Sequence, residues 1–124
     1  MSDPRLLLIG CGAFGRVHLA ALRQLGVPAM AFDADAATAT ATGLPVAASI
    51  EAGLDACDAA IVVTPVPTHV PVATTVLLAG RDLFLEKPAT ETAAEAAALA
   101  DLAEQMGCIA QVGLYFRFHP KAIA

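Results

Sequence analysis

An α/β fold, a doubly wound parallel sheet with helices on both faces, is predicted by three features of this chain. Short aliphatic runs alternate with helical stretches from end to end, the pattern of parallel strands joined by crossover helices. The runs carry few polar residues, as expected of strands covered on both faces. The first of them, Leu6-Leu7-Leu8-Ile9, leads without a break into Gly10-Cys11-Gly12-Ala13-Phe14-Gly15, a G-x-G-x-x-G turn at the start of a helix.

The elements follow in order. Arg5–Ile9 is the first strand and Ala13–Leu25 the first helix, closed by Gly26. Ala29–Phe32 is the second strand, followed by an Ala/Thr helix reaching Thr42. Gly43-Leu44-Pro45 turns the chain into a brief third strand near Val46-Ala47, and Ser49 then caps a short helix running to about Gly53. Asp58 opens the fourth strand, Ala59–Val63, which ends in a proline-bearing loop. Val70–Ala79 is the next helix, stopped by Gly80, and Leu83-Phe84-Leu85 is the fifth strand. Thr92 and Glu95 form a capping box for Ala93–Met106, whose Leu99, Leu102, Ala103 and Met106 fall at helical spacing. Gly107 ends that helix, and Cys108–Leu114 is the sixth strand. The strand order expected is 3-2-1-4-5-6, that of the Rossmann fold, with ligand at the carboxyl ends of strands one and four.

Composition bounds what such a domain does. A length of 124 residues suits one domain with a real core, although alanine supplies much of the 57% apolar fraction. A formal charge of −5 and a pI near 4.9 argue against nucleic acid as a partner. Cys11, Cys57 and Cys108 are odd in number and form no C-x-x-C, which suits a reducing compartment better than a disulfide scaffold or a metal site. Met1-Ser2-Asp3-Pro4 lacks the basic and apolar regions of a signal peptide. The charge-free stretch from Ala59 to Gly80 holds Pro65, Pro67 and Pro71, so it reads as strand, loop and helix rather than a membrane span. A soluble cytoplasmic protein is expected.

The glycine run carries the first chemistry. Gly10 permits a sharp turn, Gly12 lacks the Cβ that would hold a pyrophosphate away, and Gly15 lets helix and strand pack closely. Cys11, Ala13 and Phe14 complete the loop, and the helix start offers unpaired N–H groups and a positive dipole end to phosphates. A tight strand-to-helix turn without a ligand would use the same glycines. Asp33, at the end of the second strand, lies about 20 residues on, where an acidic side chain accepts from the adenosine ribose hydroxyls. It also suits the N-cap of the following helix, a role for which Asp35 competes. Between Asp33 and Lys87 the sole cation is Arg81, so nothing nearby would hold a 2′-phosphate, which favours NAD over NADP.

The fourth strand ends in Val63-Thr64-Pro65-Val66-Pro67-Thr68-His69 and the fifth in Glu86-Lys87-Pro88. Glu86 is a candidate acceptor for ribose hydroxyls at the nicotinamide end. Lys87 is a candidate to polarise, or donate to, a substrate oxygen during hydride transfer. The plain alternative is a surface ion pair of little worth. His18, four residues after Phe14 on the apolar side of the first helix, reads as a packed histidine. His69 divides evenly between helix capping and cofactor contact.

Gly10-x-Gly12-x-x-Gly15, Thr64-Pro65-x-x-x-His69, Glu86-Lys87-Pro88 and Gly113-Leu114-Tyr115-Phe116-Arg117-Phe118-His119-Pro120 together resemble the N-terminal half of the glucose–fructose oxidoreductase/inositol dehydrogenase (Gfo/Idh/MocA) family. The resemblance covers essentially the whole chain. It implies that Glu86 and Lys87 sit by the nicotinamide ribose, with Lys87 also reaching substrate as the catalytic residue. It further implies that Thr64, Pro65 and His69 line the cofactor and that Arg117 lies near the nicotinamide end. The resemblance implies that family members continue into a substrate domain bearing an Asp and a His, which residues 1–124 are expected to lack. Residues 1–124 are therefore expected to be a single dinucleotide-binding domain. In the intact enzyme it would serve hydride transfer to or from a sugar- or polyol-like carbinol or carbonyl. By itself it is expected to bind NAD without turnover, with a second copy or a partner covering the sixth-strand edge. The alternative is a stand-alone, non-catalytic NAD-binding module.

Overall fold

Five short strands carry the architecture in the computed structural model, which describes residues 5–113. They are β1 (Leu6–Ile9), β2 (Ala29–Phe32), β3 (Ala59–Val62), β4 (Asp82–Glu86) and β5 (Ala110–Gly113). All pair in parallel, in the order β2-β1-β3-β4-β5. The helices between them are α1 (Ala13–Leu25), α2 (Ala36–Thr40), α3 (Ile50–Ala56), α4 (His69–Leu78) and α5 (Ala93–Met106), with a 3-10 turn at Val66–Thr68. Among the described residues no helix is long and apolar enough to cross a membrane.

Side-chain alternation along the strands sorts the core into two layers. Leu7 and Ile9 of β1, Val62 of β3 and Leu85 of β4 point to one face, where they meet Leu54 of α3, Leu77 of α4 and Leu99 of α5. Leu8, Ala31 and Ile61 point to the other face, against Leu19 and Leu22 of α1. The register keeps the strand tips level, with Ile9 opposite both Phe32 and Val62, and Val62 opposite Leu85. The segments that follow β1, β2, β3 and β4 therefore emerge side by side. Because β1 is flanked by β2 on one side and β3 on the other, its carboxyl end is the switch point of the sheet.

Several boundaries differ from those the sequence predicts, each for a definite physical reason. The third strand near Val46-Ala47 is a single parallel bridge, Ala31 to Val46. Ala31 N donates to Pro45 O and Ala47 N to Ala31 O, both at 2.9 Å, and the ladder goes no further before the Ser49 cap. The six-strand order thus survives as five strands with that bridge on the outer side of β2. The sixth strand begins at Ala110 rather than Cys108, because Cys108 N still donates to Ala103 O, closing α5 behind Gly107. Ile109 N then turns to Asp82 Oδ1 at 2.8 Å. Gly53 lies inside α3 rather than at its end. A Cβ there would stand 2.7 Å from both Leu7 methyls, so the glycine lets α3 lie close against β1.

Leu7 is wholly buried between β1 and α3, whereas Leu25 is 74% exposed at the end of α1. Leu7→Ala should lower unfolding free energy by about 3 kcal/mol, and Leu25→Ala by less than about 0.5, in urea titrations.

Candidate functional site

A cleft of about 800 Å³ runs along the carboxyl edge of the sheet. Its floor is the loop after β1, and its walls are the end of β2, the loop after β3 and the tip of β4.

The loop between β1 and α1 is held by two close backbone approaches. Gly10 has φ +99°, and a Cβ on it would lie 2.6 Å from Val63 O and 3.1 Å from Thr64 N. A Cβ on Gly15 would collide with the carbonyl oxygen of Gly10. Gly12 is different, for a Cβ there meets nothing within 4 Å, and the residue lines the cleft. The outer glycines thus hold the loop together while the middle one leaves open the space over which it lies. Gly12 is also the N-cap of α1, with no side-chain hydrogen bond and no acidic residue in the first turn. By contrast, α2, α3 and α5 are capped by the side chains of Asp35, Ser49 and Thr92. The first-turn N–H donors of α1 are thus left by side chains to face the cleft, where Ala13 and Phe14 complete the rim. Bare donors beside a space that a side chain would fill are what a pyrophosphate needs.

Asp33 lies partly buried at the end of β2 and binds backbone on both sides. Its Oδ2 accepts from Cys11 N at 2.8 Å and its Oδ1 from Asp35 N at 2.9 Å. The capping role goes to Asp35, whose Oδ1 accepts from Ala37 N at 3.2 Å and whose Oδ2 accepts from the Thr38 hydroxyl at 2.8 Å. The Cys11 thiol faces inward, 3.5 Å from Phe32 O. Burial, with the Asp33 carboxylate adding to it, pushes this thiol up to about 11, so it fills space as a neutral S–H.

Beyond β3, the Thr68 hydroxyl lies 2.7 Å from Thr64 Oγ1 and 2.5 Å from Pro65 O, pinning the turn that lines the cleft. His69 is almost wholly buried. Its Nε2 lies 2.8 Å from Thr64 O, and its Nδ1 lies 3.0 Å from Pro88 O and 3.1 Å from Ala89 O. The ring therefore bridges the loop after β3 to the loop after β4. No cap of α4 involves a side chain.

At the tip of β4, Glu86 is buried to 5% exposure while Lys87 stands exposed over the cleft. One Glu86 oxygen, Oε2, accepts from Lys87 N at 3.0 Å, and the other lies 2.8 Å from His18 Nε2. The packed-histidine reading of His18 covers only part of its role. The ring does meet Phe84 edge-on, with centroids 5.4 Å apart, but it also reaches a carboxylate 68 residues away. No local pattern in the sequence announces such a pair. The cleft thus gathers the glycine loop, Asp33, Thr64, Pro65, His69, Glu86 and Lys87. Arg117 lies outside the described residues.

Comparison with known proteins agrees with this geometry. A family model described as "Oxidoreductase family, NAD-binding Rossmann fold" (GFO_IDH_MocA) matches residues 5–114. The chain is 32% identical to the rhizopine catabolism protein MocA of Rhizobium meliloti, over 98% of its own length and 40% of that protein's. It is 35% identical to the UDP-N-acetylglucosamine 3-dehydrogenase of Acidithiobacillus ferrooxidans, over 97% of its own length and 40% of the relative's. A crystal structure of that dehydrogenase superposes with a TM-score of 0.92 at 31% identity, covering 99% of this chain and 42% of the other. GenD2 from gentamicin A biosynthesis, solved in complex with NAD, superposes with a TM-score of 0.88 at 28% identity, covering 98% of this chain and 37% of the other. The chain spans about two fifths of the length of the curated relatives it matches.

The first two glycines of the loop should separate in unfolding experiments. Gly10→Ala should cost about 3 kcal/mol or more, because positive φ and a backbone collision act together. Gly12→Ala should cost less than about 1 kcal/mol, the change being only that of an exposed N-cap. Guanidinium titrations followed by circular dichroism measure both.

Proposed function

The chain belongs to the Gfo/Idh/MocA oxidoreductase family with its NAD-binding Rossmann fold, and from that premise we propose that it is the cofactor-binding half of an NAD-dependent sugar or polyol dehydrogenase. The observation that carries this is one continuous cleft with uncapped helix donors at its centre, a carboxylate at one end and an ammonium at the other. When bound, the nicotinamide cofactor supplies the hydride acceptor or donor. The names of the relatives, a UDP-N-acetylglucosamine 3-dehydrogenase among them, support a carbinol or carbonyl of a sugar or polyol as substrate.

Each protein group has a distinct task in this reading. The N–H groups at the start of α1, around Gly12, Ala13 and Phe14, hold the pyrophosphate. Asp33 keeps lone pairs beyond those given to Cys11 N and Asp35 N, and these accept from the adenosine ribose hydroxyls. Thr64 and Pro65 wall the cleft, with His69 fixing their loop from beneath. Glu86 and Lys87 take the nicotinamide end, and the Lys87 ammonium donates to the substrate oxygen whose charge changes during transfer.

The adenosine end supports NAD over NADP. Asp33, Ala34 and Asp35 line it, and Lys87 is the sole cation among the described residues lining the cleft, at the opposite end. A 2′-phosphate would meet two carboxylates with no compensating charge. Calorimetric titration should find NAD bound at least about tenfold tighter than NADP, and Asp33→Ala should narrow that ratio. Tighter NADP would overturn the reading. The ratio is the useful quantity, since loosening the Cys11 contact weakens both ligands alike.

Two further variants address the loop and the chemistry. Gly12→Val should abolish NAD binding in a protein that stays folded by circular dichroism, because the new side chain fills the space the pyrophosphate needs. In a chain carrying both halves of the enzyme, Lys87→Ala should lower kcat about 10²–10⁴-fold for NAD reduction with a sugar or polyol, followed by NADH absorbance. An unchanged kcat would remove Lys87 from the reaction.

A further inference from the structure

Glu86 is the one buried carboxylate among the described residues, and a carboxylate so placed needs a partner at each oxygen. Lys87 N–H serves Oε2 from the next residue in the chain, and His18 serves Oε1 from α1. A carboxylate can only accept, so the 2.8 Å contact makes His18 Nε2 the donor and sets the tautomer of the ring. His18 stands three residues beyond Gly15, on the helix that rises from the glycine loop. Phe84 and Glu86 are two residues apart on β4 and so share the face of the sheet that α1 covers. The His18 ring, with its side chain 13% exposed, rests edge-on against Phe84 and bonds Glu86 in the same geometry.

We propose that His18 is a positioning residue for the nicotinamide end of the cleft. Its Nε2–H fixes the rotation of the Glu86 carboxylate. The second oxygen is thereby held on Lys87 N, and the Lys87 backbone is aimed over the cleft. This rests on the reading of Glu86 and Lys87 as the groups at that end. An apolar ring would fill the same space against Phe84. It would leave Oε1 buried without a donor, and the carboxylate would turn to find one.

The test uses His18→Phe, which keeps the ring, and His18→Gln, whose amide N–H occupies the place of Nε2–H. His18→Met, without a donor, replaces the Phe variant should that one fail to fold. Two ligands are titrated by calorimetry. NAD spans the whole cleft, and ADP lacks the nicotinamide ribose. Removal of the donor should weaken NAD about tenfold while leaving ADP within about twofold, and His18→Gln should recover most of the NAD affinity. In ¹H–¹⁵N spectra without ligand, the Lys87 amide should move in the Phe variant and return in the Gln variant. Equal weakening of NAD and ADP, or a Lys87 amide that does not move, would make His18 a packing residue and overturn the proposal. Wild-type protein that binds ADP but gains nothing from the nicotinamide half would overturn the placement of Glu86 and Lys87 instead, and the His18 role with it.

Discussion

The backbone of residue 10 is the point on which the rest of this structure depends. Its Cα lies so near Val63 O that no side chain fits, and its carbonyl lies so near Gly15 that none fits there either. Three elements therefore converge on one peptide: the end of β1, the first turn of α1 and the segment leaving β3. Close convergence brings the start of α1 over the switch point of the sheet. There its donors, uncapped by any side chain, meet the cleft rather than solvent on a remote face.

Around that point, polar side chains tie separate segments to one another. Asp33 joins the end of β2 to the glycine loop through Cys11 N. His69 joins the loop after β3 to the loop after β4 through three backbone carbonyls. The His18–Glu86 contact joins α1 to the tip of β4. Loops at strand ends lack ladder hydrogen bonds, and such cross-links give them a definite shape. In the proposed function, the same atoms that order the cleft also supply its chemistry. On that proposal Asp33 is both an anchor of the loop and an acceptor for ribose hydroxyls at its edge, and Glu86 has the same double role at the other end. Substitutions at these residues act on both at once, and for this reason ratios between ligands separate what single affinities do not.

Much of the fold was legible in the chain. Leu6–Ile9, Ala29–Phe32 and the apolar runs after Asp58 and Arg81 declared four strands by continuous hydrophobicity. Ser49, Thr92 and Gly107 marked helix ends through capping chemistry that acts over three or four residues. Each misreading has its own cause. Gly53 looked like a helix stop because its reason for being glycine is Leu7, more than forty residues away. Cys108 looked like a strand residue because its apolar side chain conceals a backbone N–H still committed to Ala103 O. Val46 had the composition of a strand but too little chain between Pro45 and the Ser49 cap to extend a ladder.

The site divides along the same line. Spacing alone marked the glycine loop, Asp33 and the Glu86-Lys87 pair as candidates, because each lies within a few residues of a strand end and strand ends are marked by hydrophobic runs. Asp35 rather than Asp33 as the cap of α2, His69 as a bridge between loops, and His18 as the donor to Glu86 were decided only when the sheet brought distant segments together. A sequence records periodicity and capping over short separations. Which buried acceptor meets which donor depends on the register of strands and the seating of a helix across the sheet. Those are set by the whole core at once, and it is the core that placed His18 beside Glu86.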